Sequence, residues 1–163
     1  MPERAGRGMR WALAIAAAVF VVDFATKRWI EAVLAPGDVV PVTGFFNLVL
    51  TFNTGAAFSF LAGASGWQRE FFIGVALVAS ALIVWLLVKH RGELLFCAGL
   101  GLILGGALSN LWDRVALGHV VDFLDFHAGG WHWPAFNAAD SAITCGAALL
   151  IWDSFRGHGA ARS

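Results

Sequence analysis

Charge is scarce in this sequence: Asp, Glu, Lys and Arg make up 13% of its residues, against roughly 25% in soluble domains. That deficit, with 59% apolar residues where soluble domains have roughly 45–50%, excludes water as the main solvent. No basic run is long enough to track a phosphate backbone and the formal net charge is zero, so nucleic acid is not an expected partner. No Ser-, Pro- or Lys-rich linker divides the 163 residues, which read as one membrane domain, 1–163. Cysteine is limited to Cys97 and Cys145; both fall in apolar runs without metal-ligand spacing, so buried free thiols are expected. Also absent are a His-Glu-x-x-His zinc signature, a Gly-x-Ser-x-Gly elbow and a phosphate-binding glycine loop. No internal repeat supports an inverted-repeat transporter.

What is present is a set of long apolar runs. A helix needs about 20 mostly apolar residues to cross the hydrocarbon core, where backbone groups must be satisfied internally. Segments 11–34, 71–88, 94–112 and 137–155 meet that test, which predicts an all-α integral membrane bundle of four transmembrane helices. The second and third are joined only by Lys89-His90-Arg91-Gly92-Glu93, so they are antiparallel neighbours. Arg4, Arg7, Arg10, Lys89, Arg91, Arg156 and Arg162 fall on one side, against Lys27, Arg28, Arg69 and Arg114 on the other. The positive-inside rule then places both termini in the cytoplasm. Trp11, Trp85 and Trp152 near the inner ends, and Trp29, Trp67, Trp112, Trp131 and Trp133 near the outer ends, form an aromatic belt at each interface. A cleaved signal peptide is the alternative for the first span. The helical pattern continuing through Asp23, Lys27 and Glu31 favours retention. Outside lie stretches 35–68 and 115–135. Runs 39–42 and 45–52, separated by Thr43-Gly44, predict a small extramembrane β-containing unit at the membrane surface, and 115–135 carries aromatic and His residues suited to the headgroup layer.

Eight of the acidic residues, Asp23, Glu31, Asp38, Glu70, Asp113, Asp122, Asp125 and Asp140, belong to the outer half. A carboxylate near membrane depth is costly unless paired or facing a wet cavity, so each is a functional candidate. Asp23 and Lys27, four apart, share a helix face and are expected as a structural ion pair, with substrate contact the alternative. Asn110 and Asp113, three apart, also share a face near the end of the third span. Arg114 beside them either anchors the helix end or holds substrate. If Asn137 caps the fourth span, Asp140 lies in its first turn, where the helix dipole favours an anion, so a capping role competes with a catalytic one. Two carboxylates sharing a site do not both ionise easily; one keeps a proton while the other acts as base toward water, as in aspartic proteases. Asp113, Asp122, Asp125 and Asp140 offer six such pairs, and physical argument alone does not choose among them. His119, His127 and His132 lie near Asp122 and Asp125 but without recognised ligand spacing, so no metal is expected.

Four blocks together resemble the lipoprotein signal peptidases, also called signal peptidase II. They are Asp23-Phe24-Ala25-Thr26-Lys27; Asn53-Thr54-Gly55-Ala56-Ala57-Phe58; Gly105-Gly106-Ala107-Leu108-Ser109-Asn110-Leu111-Trp112-Asp113-Arg114; and Val121-Asp122-Phe123 with Phe136-Asn137-Ala138-Ala139-Asp140. Their order and their relation to the spans cover nearly the whole chain. Ser109 stands where the family often has glycine, a small-for-small change. The resemblance implies an aspartyl protease without metal or organic cofactor. Its expected partners are membrane lipids and diacylglyceryl-modified prolipoproteins, which it cuts before the lipidated cysteine. Implied also are a bacterial cytoplasmic membrane, an active site toward the outer face, and a monomer. It places the catalytic pair on Asp122 and Asp140, pocket-shaping or substrate-binding roles on Asn53, Gly55, Asn110, Arg114 and Asn137, and structural support on Asp23, Lys27 and Asp113. A proton-coupled transporter is the rival from another class, but Glu3, Glu31, Glu70 and Glu93 all lie at span ends or outside. A non-enzymatic membrane scaffold is the third reading.

Overall fold

The computed structural model of the chain describes residues 6–55 and 67–160. Ala56, Ala57 and Phe58 of the outer block, and Glu3, Arg4 and Arg162 among the charges, lie outside the described residues. In chain order the elements are α1 (Arg7–Val33), β1 (Val39–Thr43), β2 (Phe46–Asn53), α2 (Gln68–Lys89), α3 (Leu94–Ala116), β3 (Val120–Ala128), β4 (Trp131–His132) and α4 (Ala138–Ala160).

Among the described residues three helices, α1, α2 and α3, are long and apolar enough to cross a membrane. The clearest is α2, which buries only Gln68, Ser80, Ile83 and Leu87 and exposes Phe71, Val75, Leu77, Val78, Leu82, Val84, Trp85 and Val88. A helix that is apolar all round and mostly uncovered needs lipid around it. The fourth expected span does not reach that threshold among the described residues, because α4 mixes Asp140, Ser141, Thr144 and Asp153 with its apolar positions. At its start α1 extends to Arg7, and α3 runs on to Ala116, so Asp113 and Arg114 lie inside the helix.

The central helix is α3, which packs against α1, α4 and α2. Its glycines set the spacing. A Cβ on Gly105 would lie 2.6 Å from the Ala16 carbonyl oxygen of α1, and one on Gly106 would collide with the Ala139 carbonyl of α4. Backbones this close are typical of small-residue membrane interfaces, where dispersion contact replaces the missing hydrophobic drive. Ala12, Ala16, Ile83, Leu87, Cys97, Leu100 and Leu104 fill the space between helices. Cys97 is buried as expected, whereas Cys145, which lines a cleft, is an exposed free thiol.

The expected hairpin is present as β1 and β2, but the two outer stretches are not separate units. β3 pairs antiparallel with β2 to give one four-stranded sheet in the order β1-β2-β3-β4. Pairing β3 satisfies an edge that would otherwise present unpaired backbone groups. Between Leu48 and Thr51 the register shifts, because β2 has one residue more than β3 has between Leu124 and Asp122; such a bulge re-aims the side chains beyond it. Ile30 of α1 packs with Leu50, Val121 and Phe123 beneath the sheet and seats it on the helices.

The α1–α3 contact is therefore intolerant of a single methyl group. Gly105→Ala is expected to cost about 1–3 kcal/mol by overpacking, read as a lowered melting temperature in detergent. Gly74→Ala, on an open face of α2 with nothing within 4 Å among the described residues, is expected to leave it unchanged or raise it; equal melting of the two variants would refute the packing argument.

Candidate active site

The site is built around one buried ammonium. On α1, Asp23 and Lys27 are fully buried and lie 2.6 Å apart. Lys27 Nζ also reaches Asp113 Oδ2 at 2.7 Å and donates to Asn110 Oδ1 at 2.9 Å, so its three N–H donors have three acceptors on α1 and α3. Asp23 accepts the Ser109 hydroxyl at 2.7 Å and, through Oδ1, the Ala139 backbone N–H at 2.7 Å. The latter satisfies an orphan amide at the α4 N-terminus, where a negative charge is favoured. Asp113 also accepts the Val121 N–H at 3.4 Å, tying α3 to the strand that carries Asp122.

From this hub, amide side chains carry orientation outward. Lys27 offers only donors, so Asn110 must turn Oδ1 toward it; Asn110 Nδ2 then points the other way and donates to Asp140 Oδ1 at 2.8 Å. Asn137 is the N-cap of α4, its Oδ1 accepting the Asp140 N–H at 2.9 Å, which leaves its Nδ2 to donate to Asp122 Oδ1 at 2.8 Å. Asn53, at the end of β2, accepts the Gly55 N–H at 2.9 Å and donates Nδ2 to Asp122 Oδ2 at 3.1 Å. In each case an obligatory donor claims the amide oxygen, and the amide nitrogen is aimed at a carboxyl group.

Asp122 and Asp140 line the same cleft of about 510 Å³, with Asn53, Asn110, Arg114 and Phe136 around them. Asp122 is 2% exposed. Burial, and next the charge of Asp140, push its carboxyl up to about 7, against the opposing hydrogen bonds of Asn53 and Asn137 and the charge of Lys27. The other two candidates go elsewhere. Asp113 joins the Lys27 cluster, and Asp125 bonds Asn47 Nδ2 at 2.7 Å and the His132 ring. Arg114 stands at the cleft wall, held by its bond to the Asn110 carbonyl at 3.1 Å and by the Phe72 ring of α2, 5.2 Å from Cζ. Its Nε is buried without a hydrogen-bond partner among the described residues.

The family model for signal peptidase (SPase) II matches residues 15–156. The chain belongs to the signal peptidase II family. The lipoprotein signal peptidase of Ralstonia nicotianae is 56% identical over 151 residues, 93% of this chain and 83% of that protein. That of Cupriavidus necator is 58% identical over 144 residues, 88% and 82% of the two chains. A bacterial membrane enzyme solved by the in meso method at 2.3 Å resolution matches with a TM-score of 0.79 and 33% identity over 89% of this chain and 87% of that one. A second, at 1.9 Å, has the same TM-score at 32% identity over 87% and 90%.

Sequence reasoning about this peptidase missed some of these contacts. Ser109 was read only as a small residue, yet it is a hydroxyl donor to Asp23. Asn137, expected as a helix cap and, from the resemblance, as a pocket residue, also bridges Asn110 and Asp122. Asn47 was not singled out: a polar side chain in an otherwise apolar strand was its only signal. Lys27→Met, which strands Asp23 and Asp113 as unpaired buried charges, is expected to destabilise this signal peptidase II by about 3–5 kcal/mol. Removing the Arg28–Glu31 pair, partly exposed at the helix surface, is expected to cost under about 1 kcal/mol. Thermal melts of Lys27→Met and Arg28→Gln compare the two, and a Lys27 variant as stable as wild type would disprove the hub.

Proposed function

We propose that this signal peptidase II is an aspartyl endopeptidase that removes signal peptides from diacylglyceryl-modified prolipoproteins, cutting before the lipidated cysteine, with Asp122 and Asp140 as the catalytic pair. The observation that carries the reading is the convergence of these two carboxyl groups, from β3 and from the first turn of α4, on one cleft where the sheet meets the helices. One carboxylate takes a proton from a water held between the pair, and the water oxygen attacks the scissile carbonyl. The protonated partner stabilises the developing oxyanion and then protonates the leaving amine. No metal or organic cofactor takes part. Asn53, Gly55, Asn110, Arg114 and Asn137 shape the pocket and hold the substrate backbone, while Asp23, Lys27 and Asp113 support the site.

The membrane arrangement in this reading is one unit with α4 as a fourth span. It lies along α3, with Gly106 against Ala139 and Gly99 against Gly146 and Leu150, and exposes Ile151, Trp152 and Phe155. Both termini are cytoplasmic in a bacterial cytoplasmic membrane, with the sheet and cleft at the outer face. Membrane lipids surround a monomer, and the substrate's lipid enters between helices.

Asp122→Asn and Asp140→Asn keep the size and most hydrogen bonds of the site but remove its ability to share a proton. Each is expected to lower single-turnover cleavage of a lipopeptide by at least about a hundredfold, ~2.7 kcal/mol, with lipopeptide binding largely retained. A folded variant cleaving within about tenfold of wild type would remove that aspartate from the mechanism. The pH dependence has a definite sign. Asp122 is an acid raised to about 7, so the pair retains its proton below that pH and loses it above, and the rate is expected to fall as pH rises through about 7. A single-turnover rate flat from pH 6 to 9 would contradict a shared proton.

A further inference from the structure

The segment after β3 forms one wall of the catalytic cleft, and its backbone is tied to β3 through β4 and again at Trp133 and Phe136, where the Phe136 carbonyl also accepts the Phe123 and Leu124 N–H groups, leaving only 134–135 unbonded between them. Gly129 and Gly130, at φ +58° and +83°, turn the chain back along β3 into β4, which has only two residues. Beyond β4 the Trp133 N–H donates to the Phe126 carbonyl at 2.8 Å and the Phe136 N–H to the Leu124 carbonyl at 3.1 Å. Between those two bonds Pro134 has no N–H to offer. Trp133, Pro134 and Ala135 nonetheless line the catalytic cleft, and they also line, with Asp125 and His132, a second cleft of about 600 Å³. These residues are a thin partition between two cavities.

A side-chain clasp spans the strands at that point. Asp125 is 6% exposed; its Oδ2 accepts Asn47 Nδ2 from β2 at 2.7 Å, and both its oxygens lie at 2.9 and 3.0 Å from His132 Nδ1 on β4. A carboxylate facing Nδ1 fixes the ring with its proton on that nitrogen. The His127 ring stacks on His132 with centroids 5.0 Å apart. One carboxylate thus links β2, β3 and β4, and it is buried where β4 is exposed. The catalytic carboxyl groups are held separately, by Asn53, Asn110 and Asn137, none of which touches the clasp through any bond described above.

We propose that Asp125 and His132 are positioning residues for the substrate wall of the cleft: their hydrogen-bonded clasp pins the partition 133–135 against β3 and so sets the width of the cleft in which the lipopeptide backbone lies. The inference rests on the reading of Asp122 and Asp140 as the catalytic pair. Loosening the wall weakens substrate binding while leaving the reacting groups in place, so the defect falls mainly on KM.

The test compares Asp125→Asn, Asp125→Leu and His132→Phe with wild type, by steady-state lipopeptide cleavage and by hydrogen exchange of the 131–136 amides in detergent. The expected order is graded. Asp125→Leu and His132→Phe raise KM at least about fivefold with a smaller change in kcat, and speed exchange at Trp133 and Phe136. Asp125→Asn, whose remaining carbonyl still accepts from His132, lies between them and wild type. His132 is 54% exposed, so its variant remains informative if Asp125→Leu fails to fold. Unchanged KM and unchanged exchange in His132→Phe would overturn the clasp, as would a collapse of kcat at constant KM in Asp125→Asn. Asp122→Asn in the same assay separates the two ideas: cleavage by that variant defeats the catalytic pair, whereas the exchange result judges the clasp by itself.

Discussion

Everything near the site depends on how one buried cation is neutralised. An ammonium with no access to water is tolerated only when each of its donors meets an acceptor and its charge is matched. Lys27 meets this with Asp23, Asp113 and the Asn110 oxygen. Two carboxylates around one ammonium leave an excess negative charge, and the Ser109 hydroxyl and the N-terminal amide of α4 absorb it through Asp23. The cluster therefore joins α1, α3 and α4 at a single point, and Asp113 extends the link to β3 through Val121.

Close helix approach and site geometry are two sides of one arrangement. Because Gly105 and Gly106 let α3 meet α1 and α4 backbone to backbone, short side chains such as Asp23, Ser109 and Asn110 reach across the interfaces and bond directly. The close contact near Ala139 also brings the first turn of α4, with Asp140, beside Asn110. Packing thus places one carboxyl group of the cleft, and the β2–β3 register with its bulge places the other.

The amides act as an orientation relay. An Asn side chain presents a donor and an acceptor on the same planar group, so fixing one fixes the other. Lys27 fixes Asn110, the α4 backbone fixes Asn137, and the Gly55 backbone fixes Asn53. The nitrogens left over converge on Asp122 and Asp140. Donors lower a carboxyl group's affinity for protons, yet burial and the neighbouring charge outweigh them at Asp122 and leave its carboxyl raised to about 7.

Much of this was legible from local pattern. Apolar run length marked α1, α2 and α3, the Thr43-Gly44 break marked the β1–β2 hairpin, and the i, i+4 spacing put Asp23 beside Lys27, because each is a property of neighbouring positions. The four blocks marked the family. Sequence pattern did not bring β3 to β2, since a strand's partner 69 positions away, as Asn53 is from Asp122, leaves no local trace. Nor did it distinguish Asp113 and Asp125 from Asp122 and Asp140 without the family resemblance; all four are aspartates between the apolar core of the third run and that of the fourth. The sequence by itself determined the solvent, the helices and the residue types available for chemistry. Only the tertiary structure decided which carboxyl groups share a cleft and which serve as an anchor or a clasp, because that depends on helix separation and strand register, which are set by packing between segments far apart in the chain.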